Sequence, residues 1–158
     1  MTKDCENKYK ICRENAVVDG KKLTQADAAE RLFISIHQLS NYERGEAVVP
    51  DDMVDRMASL YNTPLLAWWH LKNYSILGKY LPEVPEPKTN GDMAFQSIIT
   101  KDRYDFAVEK IKKIFADGVL KQDEREEFDD CLKDLRIVSS TTYVMALYGE
   151  QVKIEDAA

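Results

Sequence analysis

Leu23-Thr24-Gln25-Ala26-Asp27-Ala28-Ala29-Glu30-Arg31-Leu32-Phe33-Ile34-Ser35-Ile36-His37-Gln38-Leu39-Ser40-Asn41-Tyr42-Glu43-Arg44-Gly45 is the stretch that decides how this chain folds. Ala28, Ala29 and Leu32 recur at helical spacing within Gln25 to Leu32, and a second helix is predicted after Ser35, ending at Gly45. With Leu39 turned inward, a rotation of about 100° per residue puts His37, Asn41 and Arg44 on the opposite side, flanked by Gln38 and Ser40. All five are polar. On geometry alone they fit a solvated helix face better than a binding surface.

Outward from that stretch, short helical segments follow one another. Lys8 to Asn15 carries Tyr9, Ile11 and Cys12. A fourth segment begins at Pro50-Asp51-Asp52, where acidic residues suit the positive end of a helix, and places Met53, Val54, Met57, Ala58 and Tyr61 on one side. A fifth opens at Thr63-Pro64, read as a cap followed by proline at the first helical position, and contains Leu65, Leu66, Trp68, Trp69 and Leu71. Adjacent tryptophans cannot both face one core, so one is expected to find a second surface. No strand-like alternation of useful length is present. The predicted class is all-α: a five-helix domain over residues 1–80 followed by a small helical domain.

Three prolines in Leu81-Pro82-Glu83-Val84-Pro85-Glu86-Pro87 block helix, and Asn90-Gly91 reads as a closing turn, so residues 81–92 are predicted to be a linker. Beyond it, over residues 93–158, Tyr104, Ala107, Val108, Ile111, Ile114 and Phe115 form one stripe, ending at Asp117-Gly118. Phe128, Cys131, Leu132 and Leu135 form a second. The two predict an antiparallel helical hairpin, with a further helix roughly from Ser140 to Tyr148.

Composition removes several classes. The chain has 158 residues, 44% of them hydrophobic, which is enough for a core without metals or disulfides. Cys5, Cys12 and Cys131 are an odd set without CxxC spacing, and His37 and His70 are the only histidines, so neither a disulfide scaffold nor a zinc finger is expected. Cys131 falls on an apolar stripe and reads as core. No apolar run approaches the ~18 residues of a membrane helix and no signal-peptide stretch follows the N-terminus, so a soluble, cytoplasmic protein without membrane contact is expected. Asp117-Gly118 through Glu124 resembles the tail of a calcium loop, but the earlier liganding positions hold Lys113 and Phe115, which supply no carboxylate. The Trp68-Trp69 stretch lacks the interleaved arginines of a single-strand platform. No phosphate loop, metal motif or nucleophile elbow occurs, and the segment after the linker is too short for a β-rich self-cleaving serine/lysine peptidase domain. An enzyme is not expected, and no catalytic residue, cofactor or metal is assigned.

The opening stretch resembles the helix-turn-helix of the repressor/Cro-type family of transcriptional regulators, in the form carried by prophages and mobile elements. The resemblance rests on Thr24-Gln25 opening the first motif helix, Ala29 at the small position where the helices approach, and Ile34-Ser35 before the second helix. Leu39 stands at that helix's buried position, and Asn41-Tyr42-Glu43-Arg44-Gly45 closes it. It runs over about residues 8–72. Two departures stand out. Phe33 occupies a turn position that usually holds glycine, and the segment Ala16 to Lys22 is several residues longer than usual.

The resemblance implies a sequence-specific DNA-binding regulator, expected to be a repressor, whose recognition helix lies around residues 36–44. Ile36, His37, Gln38 and Asn41 match the positions that reach base edges in the major groove. The amides of Gln38 and Asn41 can pair bidentately with adenine, His37 can donate to a guanine acceptor, and Ile36 can pack on a thymine methyl. Ser35 matches the cap of the recognition helix, close to a phosphate. Gln25, Ser40, Arg44, Lys21 and Lys22 are the other phosphate-contact candidates. His37 could equally be a plain surface histidine, and Tyr42 reads as core.

Charge sharpens the picture. The formal net charge of −6 lies wholly after residue 80, because residues 1–80 carry 11 basic and 11 acidic side chains and the remainder carry 11 and 17. From Lys21 to Arg44 four basic residues face three acidic ones. So slight an excess releases few counterions, and useful affinity calls for a homodimer on an inverted-repeat operator in double-stranded DNA. The acidic residues 93–158 are expected to dimerise or to contact another protein. The competing reading is an antitoxin or adaptor that uses the same fold mainly for protein contacts.

Overall fold

The first helix, α1 (Lys8–Asn15), starts where the Asn7 side chain accepts the Tyr9 backbone N–H. In this computed structural model residues 7–152 are described; Cys5 lies outside them. The chain divides into two units, one running to Gly78 and the other spanning Lys79–Gly149.

After α1 the long Ala16 to Lys22 segment folds back on itself. Strands β1 (Val17–Val18) and β2 (Lys21–Lys22) pair antiparallel, Val17 opposite Lys22 and Val18 opposite Lys21. Asp19 and Gly20 between them both have positive φ, 52° and 76°, the pattern of a type I′ turn. Helices α2 (Gln25–Arg31) and α3 (Ile36–Arg44) follow, each opened by a hydroxyl cap: Thr24 accepts the Asp27 N–H and Ser35 the Gln38 N–H. Gly45, at φ 70°, closes α3 in the left-handed conformation.

Helix α4 (Asp51–Tyr61) has Asp51 and Asp52 in its first turn and ends at Asn62 in the left-handed region. In α5 (Leu65–Tyr74) the expected Thr63 cap is absent: its hydroxyl donates to the Tyr61 carbonyl, and Pro64 already has helical angles. Beyond α5 lies a short 3-10 turn, Ile76–Tyr80.

The core of this unit gathers one face of every helix. Ala28 and Ala29 are buried where α2 and α3 approach, because only small side chains allow the backbones so close, and Leu39, Tyr42, Met57 and Leu66 fill the centre. Both tryptophans are buried, with Trp69 in the main cluster and Trp68 outside it. Trp69 meets the Tyr9 ring edge-on at 5.2 Å. The Tyr9 hydroxyl and His70 Nδ1 are 2.6 Å apart, and His70 Nε2 lies 3.0 Å from Asp51 Oδ1. One neutral tautomer satisfies both contacts, with Tyr9 donating to Nδ1 and Nε2–H donating to the carboxylate.

Among the described residues of this unit one buried polar atom is left over. The Tyr61 hydroxyl has no hydrogen-bond partner among the described residues. An unsatisfied buried hydroxyl costs roughly 1–3 kcal/mol, so Tyr61→Phe is expected to raise unfolding stability by about 1 kcal/mol in chemical denaturation. A loss of stability would mean that the hydroxyl is satisfied in solution.

In the second unit the residues expected as linker divide. Residues 82–87 form no helix or strand, and Leu81 and Pro82 border a cleft of ≈380 Å³ with Leu132 and Leu135. Helix α6 (Asn90–Ile114) then begins inside the expected linker. Thr89 and Asp92 form a reciprocal cap, the hydroxyl accepting the Asp92 N–H and the carboxylate accepting the Thr89 N–H, so Asn90-Gly91 is the first turn of a helix and not a closing turn. Within the expected stripe, Ala107 and Ile114 are buried while Tyr104 and Phe115 are exposed.

Helix α7 (Arg125–Glu150) is continuous where two helices were expected. Ser140, Thr141, Val144 and Met145 are buried, and that burial outweighs the weak helix propensity of the Ser139 to Val144 run. The two helices form an antiparallel hairpin, with Arg103 paired to Asp134 at 2.9 Å, Lys110 to Glu127 at 3.1 Å and Phe115 edge-on to Phe128. Cys131 is buried, in keeping with a core role.

Candidate nucleic-acid interface

The solvent side of α3 is built by the inward pull of Leu39, Tyr42 and Glu43, all buried. Their opposite face is left to Ile36, His37, Gln38 and Arg44, which are exposed, and to Ser40 and Asn41, which are half-buried. The Ser35 hydroxyl caps the N-terminus of α3 at 3.1 Å from the Gln38 nitrogen.

These side chains are already engaged with one another. Asn41 Nδ2 lies 3.4 Å from His37 Nε2, one helical turn away. Arg44 donates to the Ser40 hydroxyl at 2.8 Å, to Asn41 Oδ1 at 2.7 Å and to Glu46 at 2.7 Å. Gln38 Nε2 donates to the Tyr42 hydroxyl at 2.8 Å. A bidentate contact to adenine therefore requires Gln38 to release Tyr42 and Asn41 to release Arg44. The network orients the amides before binding and must be exchanged on binding.

Glu46 is the residue that sequence reasoning missed. It stands just beyond Gly45, whose left-handed turn brings its carboxylate back to Arg44. That hydrogen bond raises the Arg44 pKa and lowers that of Glu46. Counted from Lys21 to Glu46, four basic residues now face four acidic ones.

Gln25 is tied to the same helix from beneath. Its Nε2 donates to Glu43 Oε2 at 2.9 Å, and Glu43 is held by Arg13 through Nε at 2.5 Å and Nη2 at 3.0 Å. Arg13 also donates to the Leu23 carbonyl at 3.2 Å. One carboxylate thus joins α1, α2 and α3. The Gln25 amide carries a second N–H that can turn to a phosphate.

Lys21 and Lys22 sit elsewhere. They are exposed on β2 and line an open cleft of ≈630 Å³ with Asp27, Glu30, Arg31 and Phe33, on the flank of α2 rather than on the outer face of α3. Phe33 stands at the mouth of that cleft, 89% exposed, with φ 58°. A left-handed conformation costs a side-chain-bearing residue roughly 1–2 kcal/mol. Little packing offsets it here. Replacing Phe33 by glycine removes that strain and adds back roughly 0.5–1 kcal/mol of chain entropy. Phe33→Gly is therefore expected to raise the midpoint of unfolding; an unchanged or lower midpoint would show that Phe33 packs in solution.

Two α-helices joined by a tight turn, the second capped by serine and presenting a polar face outward, within a small helical domain with its own core, define a helix-turn-helix unit. Residues 10–68 match the model of a helix-turn-helix domain family, a span from α1 into α5. The match supports a DNA-binding regulator of helix-turn-helix type. No curated protein and no solved structure is significantly similar to the chain. Among the described residues no helix is long and apolar enough to cross a membrane.

Proposed function

We propose that the chain is a sequence-specific transcriptional repressor of the repressor/Cro type, which lays α3 in the major groove of double-stranded DNA. The observation that carries this reading is the outer face of α3, where Ile36, His37, Gln38 and Asn41 stand together above the buried Leu39 and Tyr42. Ser35 at the helix start, Ser40 and Arg44 along its edge and Gln25 at the start of α2 are the phosphate contacts. Lys21 and Lys22 take a secondary role, reaching the backbone only where the DNA extends past α2.

Because acidic side chains match basic ones from Lys21 to Glu46, a single domain binds weakly. The protein therefore acts as a homodimer on an inverted repeat with half-sites about one helical turn apart. The test is selection of duplexes from a randomised library by the purified chain. Enrichment of an inverted repeat is expected; recovery of no common sequence would overturn the reading and favour an adaptor working through protein contacts.

A further inference from the structure

Helix α6 carries apolar side chains on two sides. The face toward α7 runs through Met93, Gln96, Thr100, Arg103, Ala107 and Ile114, all buried or half-buried. At about 100° per residue, Phe95, Ile98, Ile99 and Phe106 fall together on a separate arc. They are 64%, 60%, 45% and 58% exposed. The row extends about 16 Å along the helix.

A helix that is apolar on two sides belongs inside a bundle. The second unit is too thin to be one. Among its described residues the buried apolar side chains are Ala107, Ile114, Cys131, Val144 and Met145, and two of these are small. A two-helix hairpin is a single layer, and its remaining apolar face needs another layer to cover it.

We propose that this face of α6 is where two copies of the chain join, the two hairpins making a four-helix bundle. The choice of a second copy rests on the reading of the protein as a dimeric operator-binding regulator. The exposed area agrees with it. The four side chains offer on the order of 500 Å² per copy, so that a symmetric pair covers about 1,000 Å², the size at which an interface becomes specific.

The apolar side chains set the pairing. Antiparallel helices about a two-fold axis near Thr100 and Lys101 lay Phe95 of each copy beside Phe106 of the partner subunit.

Sedimentation equilibrium of the full chain at micromolar concentrations tests this. Wild type is expected at twice its 18.2 kDa mass. Phe95→Lys with Phe106→Lys is expected to sediment as a monomer, whereas Tyr104→Lys, off the arc, remains a dimer. Should the lysine pair unfold the hairpin, Ile98→Ala with Ile99→Ala decides, with the dimer dissociation constant rising at least tenfold. A monomeric wild type, or alanine and lysine variants that dimerise as wild type does, would overturn the interface. Duplex selection separates the two ideas: a dimer that selects no DNA sinks the repressor reading alone, and a monomer that selects DNA sinks the interface and the homodimer but leaves DNA reading by α3 in place.

Discussion

Replacing Glu43 by alanine is expected to destabilise the N-terminal unit by about 3–5 kcal/mol, the cost of breaking a buried ion pair from one side. The carboxylate accepts two N–H groups from Arg13 and one from Gln25, and both ends of the ion pair are buried. Without it the Arg13 guanidinium stays in the interior, with the Leu23 carbonyl as its remaining buried acceptor in this network. The same change unties α2 from α3 at Gln25. An apolar pair tells the two parts of the effect apart. Arg13→Met with Glu43→Leu removes both charges together and should recover most of the loss, because a buried pair adds little net stability over well-packed apolar groups. Urea denaturation of the two variants gives both numbers. A Glu43→Ala protein within about 1 kcal/mol of wild type would mean that water reaches Arg13.

None of this network can be read from spacing. Arg13, Gln25 and Glu43 look like three solvated residues, because the partners lie 30 and 18 positions apart. The rest of the recognition unit is far more legible. Ala28, Ala29 and Leu32 recur at helical spacing around α2, as do Leu39 and Tyr42 in α3, so the burial of one face and the exposure of His37, Gln38 and Arg44 follow from the sequence. The hairpin escaped because two-residue strands show no alternation, although Asp19-Gly20 carries the signature of a tight turn.

In the second unit Pro82, Pro85 and Pro87 are a stronger local signal than the Thr89 to Asp92 cap, so the sequence alone places the start of α6 too late. That misplacement hid Phe95, Ile98 and Ile99, which make sense as a face only once they are helical. The single length of α7 escaped for a different reason. Its Ser139 to Val144 run has poor helix propensity, and tertiary burial of Thr141 and Val144 overrides a local preference that no residue count reveals.

The largest functional effect is expected from His37→Ala combined with Asn41→Ala. Each well-formed base contact is worth about 1–3 kcal/mol of discrimination. Losing both should weaken binding to a selected duplex by roughly 30-fold to 10⁴-fold in a gel-shift titration. Folding should be nearly untouched, since His37 is exposed, Asn41 half-buried, and neither contributes to the core. Arg44 keeps Ser40 and Glu46 as partners when Asn41 is lost. A double variant that folds and binds as wild type does would remove α3 from the DNA.

The most direct test of base reading by α3 is a mismatch profile. Each base pair of one selected half-site is exchanged in turn, and the affinity of wild type is compared with that of Asn41→Ala on every duplex. An amide that pairs with adenine predicts that the variant loses its preference at a single A·T pair, where wild type discriminates by roughly tenfold or more, and keeps the preferences elsewhere. A uniform loss of affinity with every preference intact would contradict it, and would assign Asn41 to the phosphate backbone.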